Sequence, residues 1–234
     1  LGAYAELQAV PASQVVKVPD GIDTKQAAAA MLQGMTAHYL AHSTFTLGSE
    51  HIAVVHAGAG GVGRLLIQMA KVAGARVIAT AGSPEKIQIA MDVGADDVIP
   101  YRDVDFLEEV RRLTDGVGVD VVYDAVGDDT FERSLDCLKP RGLLVLYGAS
   151  SGAVPPVDLQ KMLNPKSLFI TRPSLGAYIG ARSELERRAG DIFSWIASGQ
   201  LRLKIDREVP LAQAADAHRA LEGRETSGKV LLIP

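Results

Sequence analysis

The chain has 234 residues, of which 47% are hydrophobic, 22% charged and 5% aromatic, and its net charge is −4. These values are typical of a globular protein with one large domain or two modest ones, and they exclude disordered, collagenous and low-complexity proteins. Basic residues are spread along the chain, so the basic patch of a nucleic-acid-binding protein is missing. The one cysteine, Cys137, excludes an intramolecular disulfide and multi-thiolate zinc sites, and it fits a reducing compartment such as the cytoplasm.

The N-terminal segment begins at Leu1 rather than at a methionine, within a run that resembles a β-strand. Residues 4–7 and 15–18 form two short runs of strand-like composition. We therefore expect an upstream segment of the protein to be absent from this chain. No basic stretch is followed by an apolar one, and no apolar run approaches the roughly 18–20 residues of a membrane span, so neither a signal peptide nor a membrane helix is expected.

The predicted elements follow a regular order from residue 50 onward. Before it, Asp23 or Thr24 can cap a helix over 25–32, which Gly34 interrupts before a second helix over 36–42. The predicted strands are 52–56, 76–81, 97–101, 119–126, 142–148 and an edge strand at 167–171, and the helices between the first five are 64–73, 85–93, 103–114 and 130–138. Helices at 183–198 and 212–222 and a strand at 229–233 complete the chain. This alternation predicts an α/β fold, a doubly wound parallel sheet with helices on both faces.

The two ends of the chain fit the alternating pattern poorly. We therefore predict that the doubly wound domain comprises residues 35–173. Residues 1–34 and 174–234 are assigned to a second domain, of which this chain holds only a part.

A glycine-rich turn, Gly58-Ala59-Gly60-Gly61-Val62-Gly63, directly follows the first strand of the regular region and opens the next helix. In this context the spacing is typical of dinucleotide binding. Gly58 would permit the tight turn, Gly60 the approach of a pyrophosphate, and Gly63 the close packing of helix on strand, with the helix N-terminus facing the phosphate charge. The alternative is a turn that only closes a βα corner.

The end of the second strand indicates which dinucleotide is bound. An NAD site usually places Asp or Glu there to bind the ribose 2′-hydroxyl. Residues 79–83 contain no carboxylate, whereas Ser83 and Lys86 can hydrogen-bond and neutralise a 2′-phosphate. NADP is therefore the predicted cofactor, and the alternative interpretation of Lys86 is a solvated lysine on a helix face.

Other candidate residues have more ordinary interpretations. His38 and His42 can share a helix face, but no carboxylate at metal-ligand spacing accompanies them, so two helix histidines are favoured over a metal site. Asp124 ends the fourth strand and either caps the following turn or faces the ligand crevice, the first being favoured. Cys137 is expected to be buried and inert. No general acid or base constellation is visible, so we predict neither a catalytic side chain nor a metal ligand.

The chain resembles the zinc-free quinone oxidoreductases, the zeta-crystallin-like group of the medium-chain dehydrogenase/reductase superfamily. The residues that carry this resemblance form an ordered series: 33–37, 57–63, 82–86, 122–127, 147–152, 171–175 and 227–234. The resemblance implies a GroES-like catalytic domain and a Rossmann domain that binds NADPH in the cleft between them. It also implies a homodimer formed through the edge strand at 167–171. The N-terminal part of the GroES-like domain is missing, so we expect a retained cofactor site beside an incomplete site for hydride transfer.

The resemblance also implies a set of cofactor-binding residues. The pyrophosphate would be held by Gly60, Gly61, Val62 and Gly63, and the adenosine 2′-phosphate by Gly82, Ser83, Lys86 and Tyr101. The path to the nicotinamide would be lined by Thr36, Tyr39, Gly148, Ser150, Ser151, Pro173, Ser174 and Leu175. Arg224 would reach the cofactor from near the C-terminus.

The function implied by the resemblance is NADPH-dependent reduction of quinones without zinc. One alternative is reduction of α,β-unsaturated carbonyl compounds, which are also conjugated and electron-poor. An alternative of another class is a non-catalytic, crystallin-like protein that binds NADPH or RNA, against which the negative charge argues. A zinc alcohol dehydrogenase is disfavoured by the missing cysteine ligands.

Overall fold

The computed structural model describes residues 2–223 and 225–234, and its centre is a six-stranded parallel sheet. The strands lie in the order β3-β2-β1-β4-β5-β6, so the chain winds outward from β1 in both directions. Their bounds are β1 Ile52–Val55, β2 Arg76–Ala81, β3 Asp97–Pro100, β4 Val119–Asp124, β5 Leu138–Leu146 and β6 Phe169–Thr171. This arrangement confirms the predicted doubly wound sheet, including β6 at its edge.

Nine α-helices accompany the sheet among the described residues. Their bounds are α1 Thr24–Tyr39, α2 Gly61–Val72, α3 Pro84–Asp92, α4 Phe106–Leu113, α5 Phe131–Asp136, α6 Leu159–Leu163, α7 Leu175–Ile179, α8 Arg182–Ala197 and α9 Ala214–Glu222. A π-helical turn, Leu40–Thr44, extends α1. In the described part of the chain, no helix combines the length and apolarity needed to cross a bilayer.

Successive residues of the central strands point to opposite faces of the sheet and pack in two separate cores. Ala53 and Val55 pack with residues of α1, α2 and α8, whereas Val54 packs with residues of α4 and α5. Because both faces of the sheet are covered, the strands are mostly apolar, which is why the sequence pattern identified them.

A small second sheet pairs two strands near the C-terminus, β7 (Ile205–Pro210) and β8 (Lys229–Ile233), in parallel. The terminal strand was predicted, but β7 was missed. Its central residues, Asp206, Arg207 and Glu208, are charged. The strand is only half-buried, so it lacks the continuous apolar run that marks the strands of the main sheet.

Two predictions near the N-terminus are wrong. Residues 2–23, which the structure describes throughout, form no strand, and only a short 3₁₀-helix, Ala12–Gln14, occurs there. The strand-like runs find no neighbouring strand to pair with in the described residues, and most of their side chains are exposed. Gly34 does not interrupt the helix, since α1 continues through it. A Cβ at this glycine would lie 3.3 Å from Ile192 Cδ1, so the missing side chain permits the close contact of α1 with α8.

The predicted domain boundaries fall inside packed structure. Helix α1 begins at its predicted cap, where the Asp23 carboxylate accepts hydrogen bonds from the backbone N–H groups of Lys25 and Gln26, and it then crosses residues 34 and 35 without a break. Side chains of α8, within the segment assigned to the second domain, share a core with β1. The division at 34/35 and 173/174 stays a prediction.

Candidate functional site

A cavity of about 510 Å³ opens at the carboxyl ends of the strands, beside the glycine-rich turn. Open α/β sheets bind ligands at this edge, where the chain leaves β1 in one direction and β4 in the other. The residues that line the cavity are His56, Ala57, Ala59, Gly60, Thr80, Ala81, Gly82, Lys86, Ile89, Tyr101, Phe106, Val126, Asp129, Thr130, Arg133, Ser150, Ser151, Thr226 and Ser227.

The glycine-rich turn connects β1 to α2 with very little space for side chains. A Cβ at Gly63 would lie 2.4 Å from the carbonyl oxygen of Ala57, so the predicted close packing at this glycine is confirmed. The left-handed residue of the turn is Ala57, with φ of 53°, and not Gly58, to which the tight turn was assigned. Gly60 is the N-cap of α2 and offers no side-chain cap. The first amides of α2 are therefore left for an anionic ligand, which fits the pyrophosphate of a dinucleotide.

The end of β2 forms the next part of the wall. Ser83 caps α3, its Oγ accepting a hydrogen bond from the Lys86 backbone N–H at 3.4 Å, so the lysine starts from the first turn of this helix. Lys86, Gly82 and Tyr101 line the cavity, whereas Ser83 does not. A Cβ at Gly82 would lie 2.6 Å from the Tyr101 hydroxyl oxygen. At the end of β2, where an NAD site usually has a carboxylate, this chain has Gly82 in close contact with the Tyr101 side chain.

The opposite wall comes from α4 and α5 and was not identified from the sequence. The guanidinium of Arg133 lies over the ring of Phe106, 4.6 Å from its centroid, and donates to the carbonyl oxygen of Asp129 at 3.1 Å. These residues are brought to the cavity by crossovers between strands, so no local spacing marks them. Thr226 and Ser227 reach the cavity from the segment before β8 and likewise carried no sequence signal.

Asp124 is buried below this wall and caps the turn that follows β4, as favoured from the sequence. One carboxylate oxygen accepts hydrogen bonds from the backbone N–H groups of Val126 and Gly127, at 2.7 and 3.0 Å. The other accepts from the hydroxyls of Thr130 and Ser134, at 2.8 and 3.1 Å. Asp124 does not line the cavity, so its role is to shape the loop that does.

The loop after β5 packs on this same turn. The Ser151 hydroxyl donates to the Val126 carbonyl oxygen at 2.9 Å, and Ser150 and Ser151 both line the cavity. Gly148 lies behind them, where a Cβ would be 2.4 Å from the Ala125 carbonyl oxygen. Its absence of a side chain serves the contact between the two loops.

Two of the residues predicted to lie toward the nicotinamide, Thr36 and Tyr39, do not line the cavity, unlike Ser150 and Ser151 of the same predicted set. Tyr39 of α1 is buried and stacks on Tyr178 of α7, with 4.3 Å between the ring centroids. Burial raises the pKa of Tyr39 to about 12, so its hydroxyl stays protonated at neutral pH. The Thr36 hydroxyl donates to the Leu32 carbonyl oxygen at 2.7 Å.

The remaining predicted residues are placed as follows. Pro173, Ser174 and Leu175 lead into and begin α7, and Gly61 and Val62 lie in the first turn of α2. None of these five lines the cavity. Arg224 lies outside the described residues.

His38 lies in a buried polar network, and the half-buried His42 packs beside it with 4.8 Å between the ring centroids; neither lines the large cavity. His38 Nδ1 is 3.0 Å from a guanidinium nitrogen of Arg188, and His38 Nε2 is 2.8 Å from a carboxylate oxygen of Asp191. Burial lowers the pKa of His38 to about 4. Among the described residues no group of three histidine, cysteine or acidic side chains could hold a metal ion.

Cys137 follows α5 and is buried, as predicted. Burial raises the pKa of its thiol to about 12. The thiolate is the reactive form of cysteine, so this side chain is unreactive at neutral pH.

Comparison with known proteins places the chain in a family. The zinc-binding dehydrogenase family matches residues 61–194. A quinone oxidoreductase of Pseudomonas aeruginosa is 44% identical over 234 residues, which are all of this chain and 72% of that protein. The chain belongs to the quinone oxidoreductase family. This confirms the predicted resemblance within the medium-chain dehydrogenase/reductase superfamily.

Solved structures of this family have the same fold. The crystal structure of Escherichia coli quinone oxidoreductase complexed with NADPH superposes with a TM-score of 0.95 at 45% identity, covering 99% of this chain and 72% of that one. A second kind of relative, a 2-haloacrylate reductase of a Burkholderia species, is 41% identical over all of this chain and 71% of its own length. The predicted Rossmann-type fold is thereby confirmed.

Proposed function

We propose that this protein is an NADPH-dependent quinone oxidoreductase that works without zinc. The observation that carries the proposal is the cavity at the carboxyl ends of the strands, which is lined by Gly60, the N-cap of α2, and by Lys86, with no carboxylate at the end of β2. The NADPH complex of the Escherichia coli relative supports the same cofactor.

The chain's part in the reaction is to bind and orient the cofactor. The backbone of Gly60, Gly61, Val62 and Gly63 holds the pyrophosphate against the N-terminus of α2. Gly82, Ser83, Lys86 and Tyr101 surround the 2′-phosphate, where a lysine ammonium supplies a charge-assisted hydrogen bond. When bound, NADPH supplies a hydride, and the protein contributes position and exclusion of water.

The nicotinamide end is proposed to lie toward α1 and α7. Thr36, Tyr39, Pro173, Ser174 and Leu175 would line the path to it, together with Gly148, Ser150 and Ser151 from the loop after β5. Arg224 would approach from the C-terminal segment. We name no catalytic side chain, because the transferred hydride comes from the cofactor.

Zinc independence is supported by the ligands that the chain offers. It contains a single cysteine, and that thiol is buried with its pKa raised to about 12. The described residues provide no cluster of three possible ligands. Metal analysis of the active protein tests this point: activity that persists after complete removal of zinc supports it, and activity restored only by zinc contradicts it.

A second candidate reaction is the reduction of α,β-unsaturated carbonyl compounds. The observation that favours it is the 41% identity with the Burkholderia 2-haloacrylate reductase over all of this chain. The two reactions share a cofactor and differ in the acceptor. Steady-state rates with NADPH and matched series of quinones and enones distinguish them, and the higher kcat/KM identifies the acceptor class.

The proposal also covers the oligomeric state, the domain division and the cellular location of the protein. We propose a homodimer formed through β6, whose Phe169 is 60% exposed at the sheet edge. Sedimentation of the Phe169→Glu variant tests this interface, and the variant is expected to be a monomer.

We also propose the division into a cofactor domain at 35–173 and flanking parts of a catalytic domain. A cytoplasmic location is proposed as well, and cell fractionation tests it.

The decisive experiment is a pair of calorimetric titrations with NADPH and NADH. Tighter binding of NADPH is the expected result, and turnover with a quinone is then measured on the full-length protein. Binding of neither cofactor contradicts the proposed function, and equal binding of both contradicts the assignment of the 2′-phosphate site.

A further inference from the structure

Four buried side chains form a hydrogen-bonded chain that ends at the cavity. The Ser134 hydroxyl lies 3.1 Å from Asp124 Oδ2 and 3.0 Å from His56 Nε2. On the other side of the imidazole, His56 Nδ1 lies 3.0 Å from Thr80 Oγ1. All four residues are at most 2% exposed, and the last two, His56 and Thr80, line the cavity.

The available protons fix the direction of every hydrogen bond in this chain. A carboxylate only accepts, so the single hydroxyl proton of Ser134 is donated to Asp124. The Ser134 oxygen then accepts from N–H at His56 Nε2. Burial lowers the pKa of His56, so the imidazole is neutral and its Nδ1 carries a lone pair. Nδ1 therefore accepts a hydrogen bond from the Thr80 hydroxyl.

The consequence concerns what Thr80 can offer to a ligand. A free threonine hydroxyl rotates and can donate or accept, whereas this one has its only proton committed to His56. The two lone pairs of its oxygen can still accept a hydrogen bond from a ligand donor, whereas a ligand carbonyl oxygen in the same place would be repelled by them. The buried chain thus gives one wall of the cavity a fixed polarity.

We propose that Thr80 is a specificity-determining residue whose oxygen accepts a hydrogen bond from an N–H or O–H donor on the adenosine half of the cofactor. Thr80 lies on β2, two residues before Gly82, and therefore at the end of the cavity proposed to hold adenosine. The donors with this chemistry are the adenine 6-amino group and the ribose 3′-hydroxyl. The inference rests on the proposed function, since it requires NADPH in this cavity.

Calorimetric titration of the unmodified protein with three ligands tests the inference. The ligands are NADPH, its hypoxanthine analogue, which replaces the amino group by a carbonyl, and its 3′-deoxy analogue. Loss of one neutral hydrogen bond predicts about tenfold weaker binding of one analogue, which identifies the donor. If both analogues bind like NADPH, the inference is overturned, and this result needs no variant that has to fold.

Variants of Thr80 test whether the weaker binding of the sensitive analogue is due to this residue. Thr80→Val keeps the β-branched shape and removes the oxygen, and we expect it to bind NADPH about tenfold more weakly and no longer to distinguish the sensitive analogue. Thr80→Ser retains the hydroxyl and restores both properties. If Thr80→Val binds NADPH as tightly as the unmodified protein, or still distinguishes the sensitive analogue from NADPH, the inference about Thr80 is overturned but the proposed function is not. Failure of the unmodified protein to bind NADPH overturns the proposed function as well.

Discussion

The hydroxyl of Tyr101 lies so close to Gly82 that a Cβ on the glycine would be 2.6 Å from the phenolic oxygen. The two residues come from successive β-strand ends and together form the wall beside Lys86. We therefore propose that two features at this place select NADPH: the Lys86 cation, which would attract the 2′-phosphate, and Gly82, which leaves room for the Tyr101 ring.

The Gly82→Asp variant tests both components at once. Its carboxylate repels the 2′-phosphate and can accept the ribose 2′-hydroxyl, but the side chain must displace Tyr101. We expect NADPH to bind at least about tenfold more weakly and NADH to bind more tightly, as measured by calorimetry. Gly82→Ala is the matched control, because it displaces Tyr101 without adding charge. It should not increase the affinity for NADH. Identical behaviour of the two variants would exclude an effect of charge.

Lys86→Ala should weaken NADPH binding by about ten- to a hundredfold, the value of one charge-assisted hydrogen bond. NADH lacks the 2′-phosphate, so its affinity should be unchanged. Lys161→Ala, an exposed lysine of α6 that does not line the cavity, controls for the loss of one positive charge. Equal effects on both cofactors would show that Lys86 acts on the fold or on the overall electrostatic potential of the cavity, and not on the 2′-phosphate.

Only part of this site could be predicted from the sequence, because some of its residues are brought together by the fold alone. The glycine-rich turn and Lys86 are local features: each follows directly from a strand end along the chain. Phe106 and Arg133 lie on helices that different crossovers bring together, so only the folded sheet makes them neighbours. His56 belongs to no sequence motif, and its role depends on the hydroxyl protons of its two side-chain partners, Thr80 and Ser134.

The same distinction applies to the fold. Strands β1 and β4 are buried on both faces and therefore appear as apolar runs in the sequence. β7 has one neighbour and charged residues at its centre, and no such run marks it. Gly34 was interpreted as a helix breaker by its intrinsic propensity, but tertiary packing against Ile192 outweighs that cost of about 1 kcal/mol.

Arg188→Ala on α8 should destabilise the fold, because its guanidinium is buried. The Arg188 guanidinium is 1% exposed and donates to the Tyr178 carbonyl oxygen at 3.0 Å and the Ser43 hydroxyl at 3.1 Å, besides contacting His38 and Glu184. Removing it leaves the buried His38 Nδ1 and the half-buried Tyr178 carbonyl oxygen without this donor, so we expect a loss of about 1–3 kcal/mol in the free energy of unfolding.

Urea unfolding of Arg188→Ala beside Arg187→Ala provides the comparison. Arg187 is the next residue on the same helix, its side chain is 46% exposed, and its ion pair with Glu184 is at the surface. Such pairs contribute about 0–1 kcal/mol, so this control should unfold close to the unmodified protein. A similar loss in both variants would mean that the buried network adds nothing beyond a surface contact.

Acid should destabilise the protein through His38. Burial holds the pKa of this imidazole at about 4 in the folded chain, below its ordinary value of 6.5, so on acidification the unfolded chain takes up a proton before the folded chain does. The stabilisation from neutral His38 is complete above pH 6.5 and is lost as the pH falls toward 4. Between pH 7 and pH 5 the loss from this one group is about 2 kcal/mol.

Urea unfolding of the His38→Gln variant at both pH values measures that contribution. Glutamine keeps a polar group between Arg188 and Asp191 but does not titrate, so the variant should be less stable at pH 7 and lose about 2 kcal/mol less on going to pH 5. His218→Gln on the exposed side of α9 is the matched histidine control, and it should retain the full pH dependence. An unchanged pH dependence in His38→Gln would assign the acid sensitivity to the half-buried His42 and the buried His56, whose pKa values are also lowered by burial.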